Sequence, residues 1–287
     1  MLLLVALPVW AAPPEEAGDA PGGAEDVMQV VGRREAPGRM DAGRAVETVD
    51  RDDLDVLQPR SAPEALRLLG GVSVQQTAAG QASPYIRGRT GQHTLLMFDG
   101  LRINHALFRQ GPNQYFFTVD GRTIDHIDVV RGSASVELGA DALAGAVWVH
   151  PLEPTIDPAR SGLHVSPRAA ARATTADDER GGRVQLDAQI GDATGLLAGV
   201  GYRTVGKLEA AGPIEPLLDE DEVGVPLFEK EVPTFADDGR TQLGTGFDEL
   251  TGDLRLVHRL SATDRLVVAG YLYRQFDAPR TDQCPAP

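Results

Sequence analysis

The chain has 287 residues, of which 42% are hydrophobic and 5% aromatic, and its net charge is −15. That is enough for one large domain or two ordinary ones with a buried core, and the negative balance excludes a phosphate-backbone partner, so no nucleic acid is expected. No apolar run after residue 12 approaches the roughly 18 residues of a spanning helix, so any membrane contact must be made by strands or by the surface.

The first element is the apolar run MLLLVALPVWAA. Residues 1–12 have the h-region and small-residue cleavage site of a signal peptide but lack a basic n-region, so a partial export signal is expected. The bland alternative is a ragged hydrophobic terminus. Residues 13–42 read as a flexible linker, rich at first in Pro, Gly, Ala and acid. Within it, residues 26–32 form a short apolar strand-former: Asp26, Val27, Met28, Gln29, Val30 and Val31 before a glycine. Such a segment can add itself to a partner's sheet edge, or it can be the first strand of the domain that follows.

Residues 43–158 mix short strands and short helices. Strands are predicted at 45–49, 72–76, 94–98, 101–103, 124–130 and 146–150. Asp50 caps a short helix through Leu57. Ser61 and Glu64 form a capping box with Pro63 in the first turn, and Gly70-Gly71 ends that helix. Asp99-Gly100 is a two-residue hairpin turn, and the apolar run LLMF before it implies a strand covered on both sides. Ile124, His126, Asp128 and Val130 are expected on one face, with Asp125, Ile127 and Val129 on the other. Residues 133–138 read as a short helix. The fold class is α+β, a small mixed sheet with short helices.

Residues 159–287 change in texture. Val184, Leu186, Ala188 and Ile190 alternate with Arg183, Gln185, Asp187 and Gln189, and Leu254, Leu256 and Leu260 alternate with Asp253, Arg255 and Arg259. This is the apolar-out, polar-in dyad of an antiparallel transmembrane β-barrel. Further strands are expected at 161–175, 196–207 and 265–276. Short turns at 191–195 and 261–264 alternate with a long loop at 208–245, which carries an acidic stretch at 215–238. Plugged outer-membrane barrels close with about 22 strands, and about five fit here, so the barrel is expected to be truncated. The lone Cys284, without a partner in an exported chain, points the same way.

The segment from 85 to 149 carries the most specific motifs: IRG at Ile86-Arg87-Gly88, LMFDG, IDHIDVVRG ending at Arg131-Gly132, and ELGADALAG. It closely resembles the plug domain of TonB-dependent outer-membrane receptors, with small departures at Gly70, Ser133-Ala134 and Ala144-Gly145-Ala146. The resemblance implies a plug followed by the first barrel strands. The implied activity is energy-coupled uptake of a scarce ligand such as a ferric siderophore, haem, cobalamin or oligosaccharide, at the cell outer membrane, without catalysis and without a cofactor. The alternatives are a non-transporting surface-binding or adhesion protein that reuses the plug, and an inert gene fragment.

The resemblance also assigns roles. Residues 26–31 take the place of the TonB box, the peptide engaged by the TonB energy-coupling protein. Outer-membrane lipid and a small-molecule or metal-chelate ligand are the other expected partners. Arg87 and Arg131 match plug arginines that pair with barrel glutamates in strands beyond this chain; otherwise they are solvated arginines beside turn glycines. Two loops are candidates for ligand contact: Arg89, Gln92 and His93 in one, and Asn104, His105, Phe108, Arg109, Gln110, Asn113, Gln114 and Tyr115 in the other. The second is alternatively a packing motif that seats the loop on the barrel. Six histidines show no metal-ligand spacing, so no metal site is expected. No phosphate loop has the required glycine spacing.

Overall fold

The computed structural model describes residues 2–5, 45–78, 80–104, 112, 114–175, 177–214 and 235–278. In chain order the elements are β1 (Leu2–Val5), β2 (Ala45–Val49), α1 (Arg51–Leu57), α2 (Ala62–Ala65), β3 (Val72–Ala78), β4 (Gln81–Ile86), β5 (Thr94–Phe98), β6 (Leu101–Arg102), β7 (Ile124–Arg131), α3 (Ser135–Leu138), β8 (Gly145–Pro151), β9 (Leu163–Ala173), β10 (Arg180–Ile190), β11 (Thr194–Val205), β12 (Phe247–Arg259) and β13 (Arg265–Phe276). Two bodies result: a mixed α+β globule from β2 through β8, and an antiparallel wall of β9 to β13 with β1 at its edge.

The globule is built on a sheet of order β2-β7-β8-β5-β6, in which β5 and β8 are parallel and the other pairs antiparallel. Its two faces bury different clusters. Leu54, Leu66, Ile86, Leu96, Phe116, Ile127 and Val149 fill one side, and Leu95, Val130, Ala134, Ala142 and Ala146 the other. Each fully buried large side chain contributes about 1.5–3 kcal/mol. Leu95 and Leu96 lie back to back in these clusters, as the uninterrupted apolar run requires. The Asp99-Gly100 turn has positive φ at both residues (51° and 75°), the backbone that a two-residue hairpin needs.

Three details differ from the sequence expectation. The register of β7 against β8 shifts between Ile124 and His126. This bulge turns Ile124 onto the core face with Ile127 and Val129, away from His126 and Asp128. The Asp50 cap forms, accepting from the Asp53 N–H at 2.9 Å. The Ser61 hydroxyl, however, makes no cap bond, and Glu64 reaches past it to the Arg60 N–H at 2.7 Å. Finally, β4 pairs with β3 despite carrying Pro84. It is tolerated because this is a two-stranded sheet, where the missing N–H can face an open edge.

The wall has the order β1-β13-β12-β11-β10-β9, antiparallel throughout. The described residues 2–5 lie against the outer edge of β13, satisfying backbone groups that an edge would leave unpaired. Among the described residues no helix is long and apolar enough to cross a membrane. The side-chain distribution is inverted relative to a water-soluble sheet. Val184, Ile190, Leu254 and Leu272 are exposed on the outer face, whereas Arg183, Gln189, Arg203, Glu249 and Arg255 are each at most 5% exposed on the inner one. Ala188 departs from the outward set: it is buried. The long connection from β11 to β12 is described only at its ends, and most of its acidic stretch lies outside the described residues.

Candidate functional site: the interface between globule and wall

The inner face of the wall meets the globule through ion pairs whose partners are far apart in sequence. Asp120 is at the centre. It follows the helical turn Gln114–Thr118 and begins the turn Gly121–Thr123, where its carboxylate accepts from the Arg122 N–H at 3.0 Å. The Arg122 guanidinium grips the same carboxylate at 3.0 and 3.1 Å, the forked geometry that makes such pairs strong. From the wall, Thr251 Oγ1 on β12 donates to Asp120 Oδ2 at 2.8 Å, and Arg122 reaches the Gly182 carbonyl on β10 at 3.3 Å.

This close approach depends on Gly201 of β11. A Cβ there would lie 2.8 Å from Thr251 Oγ1 and 2.9 Å from Arg122 Nη2, so a larger residue would force both side chains to shift from their places around Asp120.

Toward the end of the wall that carries the long loop, Arg203 of β11 is 3% exposed, pairs with Glu249 and donates to the Arg60 carbonyl at 2.8 Å. Arg60 of the globule in turn pairs with Asp177 and, at 2.7 Å, with Glu179 beside β10. Phe117 packs edge-on to Tyr273 at 5.5 Å, and Gln275 donates to the Gly80 carbonyl at 3.0 Å. At the short-turn end, Arg255 of β12 bridges Asp99 at 2.7 Å and Glu153 at 3.0 Å, while Arg265 takes the other Glu153 oxygen at 2.8 Å. Tyr271 donates to Asp99 at 3.2 Å and meets Phe98 edge-on at 4.7 Å. The hairpin turn at Asp99 is therefore also an anchor.

Two globule carboxylates, Asp120 and Glu153, make this contact pH-dependent. Burial opposes ionisation of Asp120, but the Arg122 and Arg203 guanidiniums and the Arg122 hydrogen bonds override it and hold the carboxyl below its usual 3.8. Glu153 behaves alike: burial opposes its charge, and Arg265 and Arg255 hold it below 4.5. Both groups have depressed values when docked. Their contribution is therefore complete above the free-carboxyl range and is lost as pH falls through the docked values. Docking is expected to be insensitive to pH between about 6 and 8 and to weaken below about 4. Limited proteolysis of the globule across that range checks this, and Asp120→Asn should flatten the acid-side slope.

The residues singled out from sequence have other placements. Arg131 pairs with Glu47 on β2 at 2.8 Å and donates to the Gly70 carbonyl. Arg87 sits at φ 50° in a turn whose N–H donates to the Gly71 carbonyl at 2.8 Å, and it makes no ion pair among the described residues. Neither arginine touches a carboxylate of β9–β13. The anchors that do cross to the wall, Asp99, Asp120 and Glu153 together with Arg60 and Arg122, were not singled out, because nothing local in the sequence marks an ion pair or hydrogen bond made across 60 residues or more.

Of the ligand candidates, Asn104 is a brace. Its amide accepts from the Leu96 N–H at 2.6 Å and donates to the carbonyls of Thr94 at 2.9 Å and Gly91 at 3.2 Å, tying the two candidate loops together. Arg89, Gln92, His93 and Tyr115 are exposed. Gln114 opens the helical turn Gln114–Thr118. His105, Phe108, Arg109, Gln110 and Asn113 lie outside the described residues, as do residues 26–31.

Comparison with known proteins agrees with this architecture. Residues 39–146 match the family model of the TonB-dependent receptor plug domain. The chain is 32% identical over 147 residues to the vitamin B12 transporter BtuB of Photobacterium profundum, an alignment covering 51% of this chain and 24% of the relative. It is 33% identical over 109 residues to the transporter of the same name from Vibrio cholerae, covering 36% and 16%. In fold it is similar to the siderophore receptor PirA of Acinetobacter baumannii, with a TM-score of 0.53 at 18% identity over 80% of this chain and 31% of that one. The chain thus spans a quarter or less of the length of the curated relatives it matches. Residues 39–146 are a TonB-dependent receptor plug domain, and the family that carries it is one of receptors and transporters, not of enzymes.

Proposed function

We propose that this chain forms the plug and adjoining wall of an energy-coupled outer-membrane receptor that imports a scarce small-molecule or metal-chelate ligand. The observation that carries this reading is the two-sided wall: its buried face is charged and grips the plug, while its exposed face is apolar, as lipid demands. A plug held by paired, buried charges keeps its register with little net stabilisation per pair, so a modest force can shift it. Residues 1–12 direct export, and residues 26–31 are the handle on which the TonB protein pulls, by adding a strand to its sheet. Cobalamin heads the candidate cargoes because the curated relatives named above are vitamin B12 transporters; ferric siderophores, haem and oligosaccharides follow from the resemblance.

The test is uptake and surface binding of labelled cobalamin and ferric siderophores by cells that depend on this receptor, with and without residues 26–32. Deletion is expected to reduce uptake of the true cargo at least about tenfold, with binding retained. Unchanged uptake would contradict the proposal and favour a surface-binding protein.

A further inference from the structure

Three donor side chains meet on the plug sheet, away from the plug–wall anchors. His126 and His150 are directly opposed on β7 and β8, and Asp128 follows His126 by two residues on the same face. Their imidazoles stack with centroids 4.1 Å apart and planes 11° from parallel. His126 Nε2 is 3.9 Å and His150 Nε2 3.3 Å from Asp128 Oδ2, and one donor atom from each residue lies within 4.8 Å of the others.

We propose that His126, Asp128 and His150 bind a divalent late transition cation such as Zn²⁺ or Cu²⁺. Two imidazoles and a carboxylate are a donor set that these ions favour. With bonds of about 2.0–2.2 Å, the donors of a tetrahedral ion stand about 3.3 Å apart. The His150–Asp128 spacing already has that value; to bring both ring nitrogens onto one ion, the two imidazoles must turn out of their parallel stack, because each binds in its own ring plane. The surrounding groups prepare the donors. Asp125 Oδ2 lies 2.8 Å from His126 Nδ1, which fixes the ring and leaves Nε2 as the ligand nitrogen. Thr48 Oγ1 occupies Asp128 Oδ1 at 2.6 Å and leaves Oδ2 for the ion. His150 Nε2 is buried and lies 3.3 Å from Asp128 Oδ2 without a well-aligned hydrogen bond, so an ion would satisfy it better than its present neighbour does. Trp148 stacks on His150 at 5.1 Å and floors the site. His126 and His150 are only partly buried, so a fourth position remains for water. The ion would cross-link β7 to β8 in the middle of the plug sheet.

Trp148 makes the proposal measurable. The chain has two tryptophans, and Cu²⁺ at this site quenches the one beside it. Titration of the intact protein carrying Trp10→Phe with Cu²⁺ is expected to give saturable one-to-one quenching. His126→Ala and His150→Ala should each weaken it about a hundredfold, and Asp125→Asn about tenfold, through loss of the ring's orientation. Zn²⁺ should raise the unfolding temperature of the parent but not of the double histidine variant. Far-UV circular dichroism of each metal-free variant confirms that it is folded. Unchanged one-to-one quenching in the folded double variant, or no quenching in the parent, would overturn the assignment.

Discussion

Replacing Arg203 with alanine is expected to destabilise the docked globule and wall by about 3–5 kcal/mol, the cost of removing one partner from a buried ion pair. Arg203 is 3% exposed, pairs with Glu249, lies 3.9 Å from Glu179 and donates to the backbone of Arg60. Truncation leaves Glu249 buried, with only the Tyr273 hydroxyl at 2.7 Å as a donor, and deprives Asp120 of a nearby positive charge. The loss exceeds that of any exposed pair, such as Arg180 with Asp178, where about 0–1 kcal/mol is at stake. Arg203→Lys should fall between, because it keeps the charge but not the planar fork. Removing Glu249 together with Arg203 should cost less than removing Arg203 alone. Urea unfolding in detergent micelles reads these differences; a change below about 1 kcal/mol for Arg203→Ala would mean that the pair contributes little to docking.

Much of the architecture was legible because it rests on local or strictly periodic signals. The Asp50 cap, the Asp99-Gly100 hairpin and the strand at 265–276 each follow from a few adjacent residues. The inward and outward faces of β10 and β12 follow from period-two alternation. What stayed hidden depends on tertiary context. The β7 bulge moves one residue, Ile124, and no composition rule fixes where a strand slips. β4 was masked by Pro84, which a central strand would reject and an edge tolerates. The docking anchors were hidden for the same reason. Asp99 reads in the sequence as a turn residue and Asp120 carries no local signal; only the wall brings Arg255 and Thr251 beside them. His126, Asp128 and His150 had no recognisable metal spacing, because the third donor lies 22 residues beyond the second on a neighbouring strand (150 minus 128).

Alternation along β12 gives the second large expectation. Its outward positions 250, 252, 254 and 256 are Leu, Gly, Leu and Leu, while Glu249, Thr251, Asp253 and Arg255 point to the plug. A charge on the lipid side at mid-membrane costs about 2–4 kcal/mol, which accounts for a clean outer face beside a charged inner one. The same asymmetry fixes what each position meets in the membrane. The most direct measurement is a nitroxide scan of residues 250–257 in the protein reconstituted into lipid bilayers, each position changed singly to cysteine with Cys284→Ser as background. Collision with oxygen is expected to exceed collision with a polar nickel chelate about tenfold at even positions, with Leu254 among the strongest, and the ratio should fall at the odd ones in a period of two. Equal access of the nickel reagent to Leu254, or a profile without that period, would contradict a wall that faces lipid on one side and holds the plug on the other.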